Sequence, residues 1–251
     1  MNGWWSGDLF VFSDPHYGHE NIVGSCGRPF SDWREMDDAM QTRHNAIVRP
    51  KDTWICIGDF AWRNHIHYKR KLNGHGILVT GNHDQMPEVA RREFTKVIGG
   101  SREPGIFQTN VGNHYCVFCH FPMWSWNASF HGSWHFYGHC HGRKREDIPP
   151  VAFLNPEEGL DMPETAPPPR IVESPMILSC AVDMDVWDFT PVPWEVLKLK
   201  MEAREPAWRE RMDILDNARE VQEYRMNPAT LAMSNRQWRA RANHLEGAGN
   251  A

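Results

Sequence analysis

The sequence predicts an α/β protein whose chemistry sits at the carboxyl ends of its strands. Three observations lead there. Short apolar runs of strand length alternate with segments of helical period, a rhythm of parallel strands joined by helical crossovers. The run Gly76-Ile77-Leu78-Val79-Thr80 reads as a buried strand and passes directly into Gly81-Asn82-His83-Asp84. The same device, an acid, amide or imidazole just after an apolar run, recurs at other strand ends, where open α/β sheets bind their ligands.

The 251 residues suffice for one large domain with a small appendage, and a formal net charge of −5 marks no broad nucleic-acid-binding surface. No apolar run is long enough for a membrane span, and the N-terminus lacks a basic region followed by a long apolar stretch, so no membrane association and a cytoplasmic location are expected. Several of the six cysteines fall inside strand-like runs, where a reduced Cys acts as a small hydrophobe, and no structural disulfide is expected. Fourteen histidines and twelve tryptophans suggest metal ligation beside an aromatic-walled site.

Residues 8–13 form a first predicted strand, ending in Asp14-Pro15-His16. If the chain stays extended, residues two apart face the same way, and Asp14 and His16 make a chelating pair; alone, Asp-Pro is an ordinary turn. Tyr17 to Asn21 is a loop. Asp32 with Glu35 resembles a capping box, and Trp33, Met36, Met40 and Ile47 follow at helical spacing until Pro50 closes the helix. Thr53 to Ile57 is a second strand, ending in Gly58-Asp59. A helical segment around Asn64 to Leu72 leads to the Asn82 strand, and Met86-Pro87 opens another helix.

From Gly105 the pattern becomes that of a hairpin, residues 106–110 and 114–119 around Val111-Gly112-Asn113, ending at His120. An aromatic loop with Met123, Trp124, Trp126 and Phe130 leads to the short strand Trp134 to Tyr137 and then Gly138-His139-Cys140-His141-Gly142. Cys116-Val117-Phe118-Cys119-His120 matches the attachment signature of c-type haem, but such attachment needs export and these cysteines fall in a strand. A structural zinc would want a second pair, and Cys140 between two histidines is a poor candidate.

Residues 1–192 are read as the main domain, with 144–175 a proline-rich insertion or lid. Strands are expected at 176–182 and near Val186 to Phe189, completing a second sheet. Residues 193–245 form a charged helical extension with Trp208, Met212, Leu215 and Ala218 as its apolar stripe. Its charges nearly balance until Arg236, Arg239 and Arg241, which favours a solvated helix over nucleic-acid binding. Residues 246–251 are expected to be a disordered tail.

Strand ends thus supply Asp14, His16, Asp59, Asn82, His120, His139 and His141, oxygen and imidazole donors with no thiolate. The set suits two divalent ions such as Mn, Fe, Ni or Zn better than a thiolate zinc site or an all-oxygen Mg site, with one Asp shared as a bridge.

The order and residue types resemble the calcineurin-like metallophosphoesterase superfamily: Asp14-Pro15-His16, Gly58-Asp59, Gly81-Asn82-His83-Asp84, His120 and Gly138-His139-Cys140-His141. The resemblance spans roughly residues 8 to 190. More narrowly, the stretch Ser13 to Ile22, Arg28-Pro29-Phe30 and the stretch Asp185 to Val192 resemble a bacterial and phage group of small phosphoesterases. The resemblance implies a four-layer α/β/β/α sandwich. It implies one metal on Asp14, His16 and His141, a second on Asn82, His120 and His139, and Asp59 bridging. The mechanism then expected is attack of a metal-bridging hydroxide on phosphorus, with His83 serving the leaving oxygen and Asp84 orienting His83. His19, Asn21 and Arg28 are candidates for contacting substrate, Arg28 by gripping a phosphate oxygen. The tryptophans after His120 are either a stacking surface for a flat leaving group or core.

The expected function is a metal-dependent phosphodiesterase acting on a cyclic or nucleotide-type phosphoester. The rivals are a nuclease, for which only Arg143-Lys144-Arg145 and the tail arginines offer positive charge, and a non-enzymatic scaffold braced by its metals. The oligomeric state is not legible.

Overall fold

The computed structural model describes residues 4–142, 175–210 and 212–213. The chain divides into two compact units, Met1–Glu205 and Pro206–Ala251. The first unit is α/β, with two mixed sheets. In one, β1 (Leu9–Phe12), β2 (Thr53–Ile57), β3 (His75–Val79) and β4 (Lys96–Ile98) run parallel, and the edge strand β9 (Val192–Pro193) lies antiparallel to β1, in the order β4-β3-β2-β1-β9. In the other, β5 (Ile106–Val111) and β6 (His114–Cys119) form the antiparallel hairpin, and β7 (Trp134–Tyr137) and β8 (Ser179–Ala181) continue parallel to β6. Val111 pairs with His114, so the hairpin turn is the two residues Gly112-Asn113, with Gly112 at φ 61°.

β1 and β2 are buried throughout, as strands covered on both faces should be. Phe10, Phe12, Trp54, Cys56 and Leu78 share one core with Met36 and Met40 of helix α2 (Trp33–Ile47), Tyr68 of α3 (His65–Lys71) and Phe94. Two shorter helices, α1 (Ile22–Cys26) and α4 (Glu88–Arg91), flank them, and α5 (Trp194–Glu202) buries Trp194, Leu197 and Met201. Trp194 meets the rings of Trp134 and Phe136 at 6.0 and 5.6 Å.

Asp32 caps α2 as predicted, accepting the N–H groups of Arg34 and Glu35 at 2.8 and 2.9 Å. Glu35 reaches one residue further back than a capping box requires, to the N–H and hydroxyl of Ser31. The expected stripe is corrected at its end: Ile47 is exposed and His44 takes the buried place one turn after Met40. The strands expected at 176–182 and 186–189 shrink. Pro175–Leu178 and Met184–Val186 are single 3₁₀ turns, and Asp188 and Phe189 stand at φ 48° and 52°, outside strand geometry. The strand that follows is β9, which joins the first sheet.

Cys56, Cys116, Cys119 and Cys180 are buried free thiols. No helix among the described residues is long and apolar enough to cross a membrane. Arg143-Lys144-Arg145, the proline-rich insertion through residue 174, Leu215, Ala218, Arg236, Arg239, Arg241 and the expected disordered tail lie outside the described residues.

His44 makes stability depend on pH. It is fully buried, its Nε2 bonds the Asn73 carbonyl at 3.0 Å, and burial holds its pKa down at about 4 against 6.5 for a free side chain. The unfolded chain therefore takes up a proton between those values that the folded chain refuses. The contribution is full above about pH 6.5 and declines by roughly 3 kcal/mol as the pH falls to 4. We expect His44→Gln to flatten the fall in urea-unfolding free energy between pH 7 and 4.5; an unchanged slope would remove His44 from the account.

Candidate metal centre

The loops that carry the predicted donors are laced together by backbone. The N–H groups of Asp14 and His16 bond the carbonyls of Gly58 and Asp59 at 3.1 and 3.0 Å, which holds the first two strand ends side by side. Ser13 N–H bonds Val182 O at 2.9 Å, and Gly138 N–H bonds His120 O at 2.9 Å, so the ends of the second sheet close on the same point.

Asp14, His16, Asp59, His139 and His141 all have positive φ, from 49° to 71°. Non-glycine residues rarely adopt that region, and such strain collects at functional sites. Asp14 and His16 are therefore not the extended pair expected: β1 ends at Phe12, and left-handed turns, not the strand pleat, aim both side chains. They meet nonetheless, with His16 Nε2 3.6 Å from Asp14 Oδ1.

Two clusters of potential ligands result, Asp14 with His16 and His141, and Asp14 with Asp59 and His120. His141 Nε2 is 3.6 Å from Asp14 Oδ1, and Asp59 Oδ2 is 3.5 Å from His16 Nε2 and 3.3 Å from His120 Nε2. Asp14 Oδ1, His16 Nε2, His120 Nε2 and Asn82 Oδ1 are buried without a hydrogen-bond partner. Buried polar atoms are nearly always satisfied, so this concentration needs an explanation.

The far ends of Asp14, Asp59, His120 and His141 are fixed. Asp14 Oδ2 accepts the Ser13 hydroxyl at 2.5 Å and His139 N–H at 2.8 Å, and Asp59 Oδ1 accepts His83 N–H at 2.9 Å. His120 Nδ1 meets the Ile57 carbonyl at 2.9 Å, and His141 Nδ1 meets Asp185 Oδ2 at 3.1 Å. Such partners orient an imidazole and leave its other nitrogen as ligand. Burial opposes the charge of Asp14, but His120, His16 and His141 outweigh it and hold its carboxyl well below the usual range. Burial likewise disfavours charge on His120, yet Asp14 and Asp59 push it up to about 9. The donors are carboxylate and amide oxygens and imidazole nitrogens, a set that could hold a divalent ion.

Two predicted roles change. Asp84 does not orient His83: its buried carboxylate accepts the N–H groups of Asp59 at 2.8 Å, Phe60 at 3.0 Å and Gly81 at 2.7 Å, pinning one ligand loop to the other. Burial pushes it up to about 6 even so. Arg28 cannot grip a phosphate, because it is buried and all its donors are committed. Nε and one terminal nitrogen clasp Asp185 at 2.9 and 2.8 Å; the others reach the carbonyls of Pro15 and Asp14 and the Met36 sulfur. Of the aromatics after His120, Trp126 and Trp134 are core, while Trp124 and Phe130 are exposed.

His139 is exposed and belongs to neither cluster, its ring 5.1 Å from that of His120. His83 is exposed, 5.8 Å ring to ring from His16; His19 is half-buried, 5.7 Å from His16. Asn21 is exposed at the start of α1 and makes no capping bond. Asp183 and Asp185 have no place in the ligand set expected from the sequence. Asp183 Oδ1 accepts His141 N–H at 2.8 Å, and burial together with Asp14 pushes its carboxyl up to about 7. Asp185 joins Arg28 to His141; the sequence marked it only as the start of the stretch Asp185 to Val192 that resembles the small phosphoesterases.

Fold and site define an α/β protein with clustered carboxylate and imidazole donors at converging strand ends. No family model matches the chain. An uncharacterized protein of Methanocaldococcus jannaschii is 29% identical over 154 residues, 59% of this chain and 76% of that protein. Among solved structures, a protein of unknown function from Aquifex aeolicus is similar with a TM-score of 0.52 at 18% identity, covering 76% of this chain and 98% of that one. The second likeness is one of fold.

Proposed function

We propose that the chain is a dinuclear metal-dependent phosphohydrolase with the α/β/β/α architecture of the calcineurin-like metallophosphoesterases, acting on a nucleotide-type or cyclic phosphodiester. The observation that carries the proposal is the group of buried, unpartnered polar atoms on Asp14, His16, Asn82 and His120, with Asp14 and His120 hydrogen-bonded at their far ends. Asp14, His16 and His141 would hold one ion. Asp59, His120 and Asn82 would hold the other, with His139 added by the superfamily resemblance. Asp59 would serve both ions, as the resemblance implies; its Oδ2 lies 3.5 Å from His16 Nε2 and 3.3 Å from His120 Nε2. When bound, two divalent ions supply positive charge for the phosphoryl oxygens and a water deprotonated near neutral pH.

The protein's own groups do the rest. Asp185, backed by Arg28, keeps the His141 ring turned toward Asp14. His83, exposed beside His16 with its backbone tied to Asp59, gives a proton to the departing oxygen. We expect His83→Ala to lower turnover about 10²- to 10⁴-fold with metal content unchanged; loss of the metals instead would make it a structural residue.

The reading is tested with metal-stripped protein, by adding Mn, Ni, Zn or Mg singly and measuring hydrolysis of bis-p-nitrophenyl phosphate and p-nitrophenyl phosphate. Turnover of the diester with Mn or Ni supports it. Silence with every metal, in folded protein that binds two ions, would favour a metal-braced scaffold.

A further inference from the structure

Trp62 is an aromatic residue of the site that the ligand pattern does not use. It follows Asp59 by three residues, in the loop after β2, and its backbone N–H bonds the carbonyl of Tyr17 at 2.9 Å. Ala61 and Tyr17 form an isolated parallel bridge, so the loops bearing His16 and Asp59 are stitched together right up to this tryptophan. Its ring is held among imidazoles, 4.3 Å from His19 and 5.3 Å from His83, and both of those rings lie within 6 Å of His16.

Despite these contacts Trp62 is 50% exposed. Single exposed hydrophobics are common on protein surfaces. This one differs in its position, fixed to both ligand loops at the rim of the donor cluster, and in its neighbours, which are two imidazoles outside the main apolar core. A rigid indole half open to water beside a phosphate site matches a flat, π-faced group joined to that phosphate.

We propose that Trp62 is a stacking platform for the base of a nucleotide-type substrate, and so the residue that selects nucleotide esters over simple phosphate esters. The inference rests on the phosphoester reading of the metal centre. It assigns the platform to the loop after β2, and not to the tryptophans after His120, two of which are core.

The test is equilibrium binding by calorimetry of AMP, ribose 5-phosphate and inorganic phosphate to Mn-loaded full-length protein, as wild type, Trp62→Ala and Trp62→Phe. Wild type should bind AMP about 10- to 100-fold more tightly than ribose 5-phosphate, the range of one base-stacking contact. That ratio should fall close to one in Trp62→Ala and be largely kept in Trp62→Phe, while all three proteins bind inorganic phosphate alike. A wild-type ratio near one, or a ratio that survives Trp62→Ala, overturns the platform and leaves the phosphoester site standing. Failure of the Mn-loaded wild type to bind any of the three ligands overturns the phosphoester reading and the platform with it.

Discussion

Asp59→Asn should strip the centre of metal and with it essentially all hydrolysis. The substitution keeps size and shape, and an amide oxygen can still accept the His83 N–H that Asp59 Oδ1 takes at 2.9 Å. What it removes is the negative oxygen that lies 3.5 Å from His16 Nε2 and 3.3 Å from His120 Nε2. If that oxygen serves both ions, affinity falls at both positions. Loss of an outer partner alone typically costs about 10- to 100-fold in metal affinity, so loss of a bridging ligand should exceed about 100-fold. Metal content after dialysis reads this directly. So does thermal unfolding, because an ion bound only by the folded state raises the melting temperature in proportion to the logarithm of its concentration over Kd. Wild type should gain stability from added Mn and the variant little. A variant that keeps both ions and full turnover removes Asp59 from the bridging position.

Most of the donors were legible because each is a sharp chemical change at the end of an apolar run. Leu9 to Phe12 passes into Asp14 and His16, Thr53 to Ile57 into Asp59, and Gly76 to Val79 into Asn82. Hydrophobic period locates the strand, and parallel pairing then gathers the ends. Two kinds of information do not reside in such patterns. One is backbone handedness: nothing in Asp14-Pro15-His16 announces φ of 59° and 52°, because those values are imposed by the hydrogen bonds to Gly58 and Asp59 across the sheet. The other is what a charged side chain meets. Arg28 reads as a grip for phosphate and Asp84 as the partner of His83, whereas burial commits the first to Asp185 and backbone carbonyls and the second to three backbone N–H groups. Asp185 was missed for the same reason, since its partners Arg28 and His141 are far away in sequence. β4 and β9 are three and two residues long, too short to carry a period.

Gly138→Ala should disable the centre without unfolding the protein, and Gly24→Ala provides the control. A Cβ on Gly138 would fall on the Ser13 hydroxyl and on Asp14 Oδ2, well inside van der Waals contact. The carboxylate cannot swing clear. Its Oδ2 is held by the Ser13 hydroxyl at 2.5 Å and by His139 N–H at 2.8 Å, while its Oδ1 forms part of both ligand clusters. Relief must come from moving Asp14 or from prying the Gly138 loop off β1, and either displaces a donor. Overpacking of this kind costs about 1–3 kcal/mol of stability, which a core containing fully buried Trp54, Phe12 and Trp134 should survive. Metal affinity should drop by about 10- to 100-fold, because the partners that aim Asp14 are lost. Gly24 lies in α1 with nothing within 4 Å of its added methyl, so Gly24→Ala should leave metal binding unchanged and raise stability by roughly 0.5–1 kcal/mol through helix propensity. Calorimetric titration with Mn, alongside urea unfolding of the three proteins, separates the two effects. Wild-type Mn affinity in Gly138→Ala would mean that Asp14 has room to move, and that the tight packing of Ser13, Asp14 and Gly138 is not what aims its free oxygen.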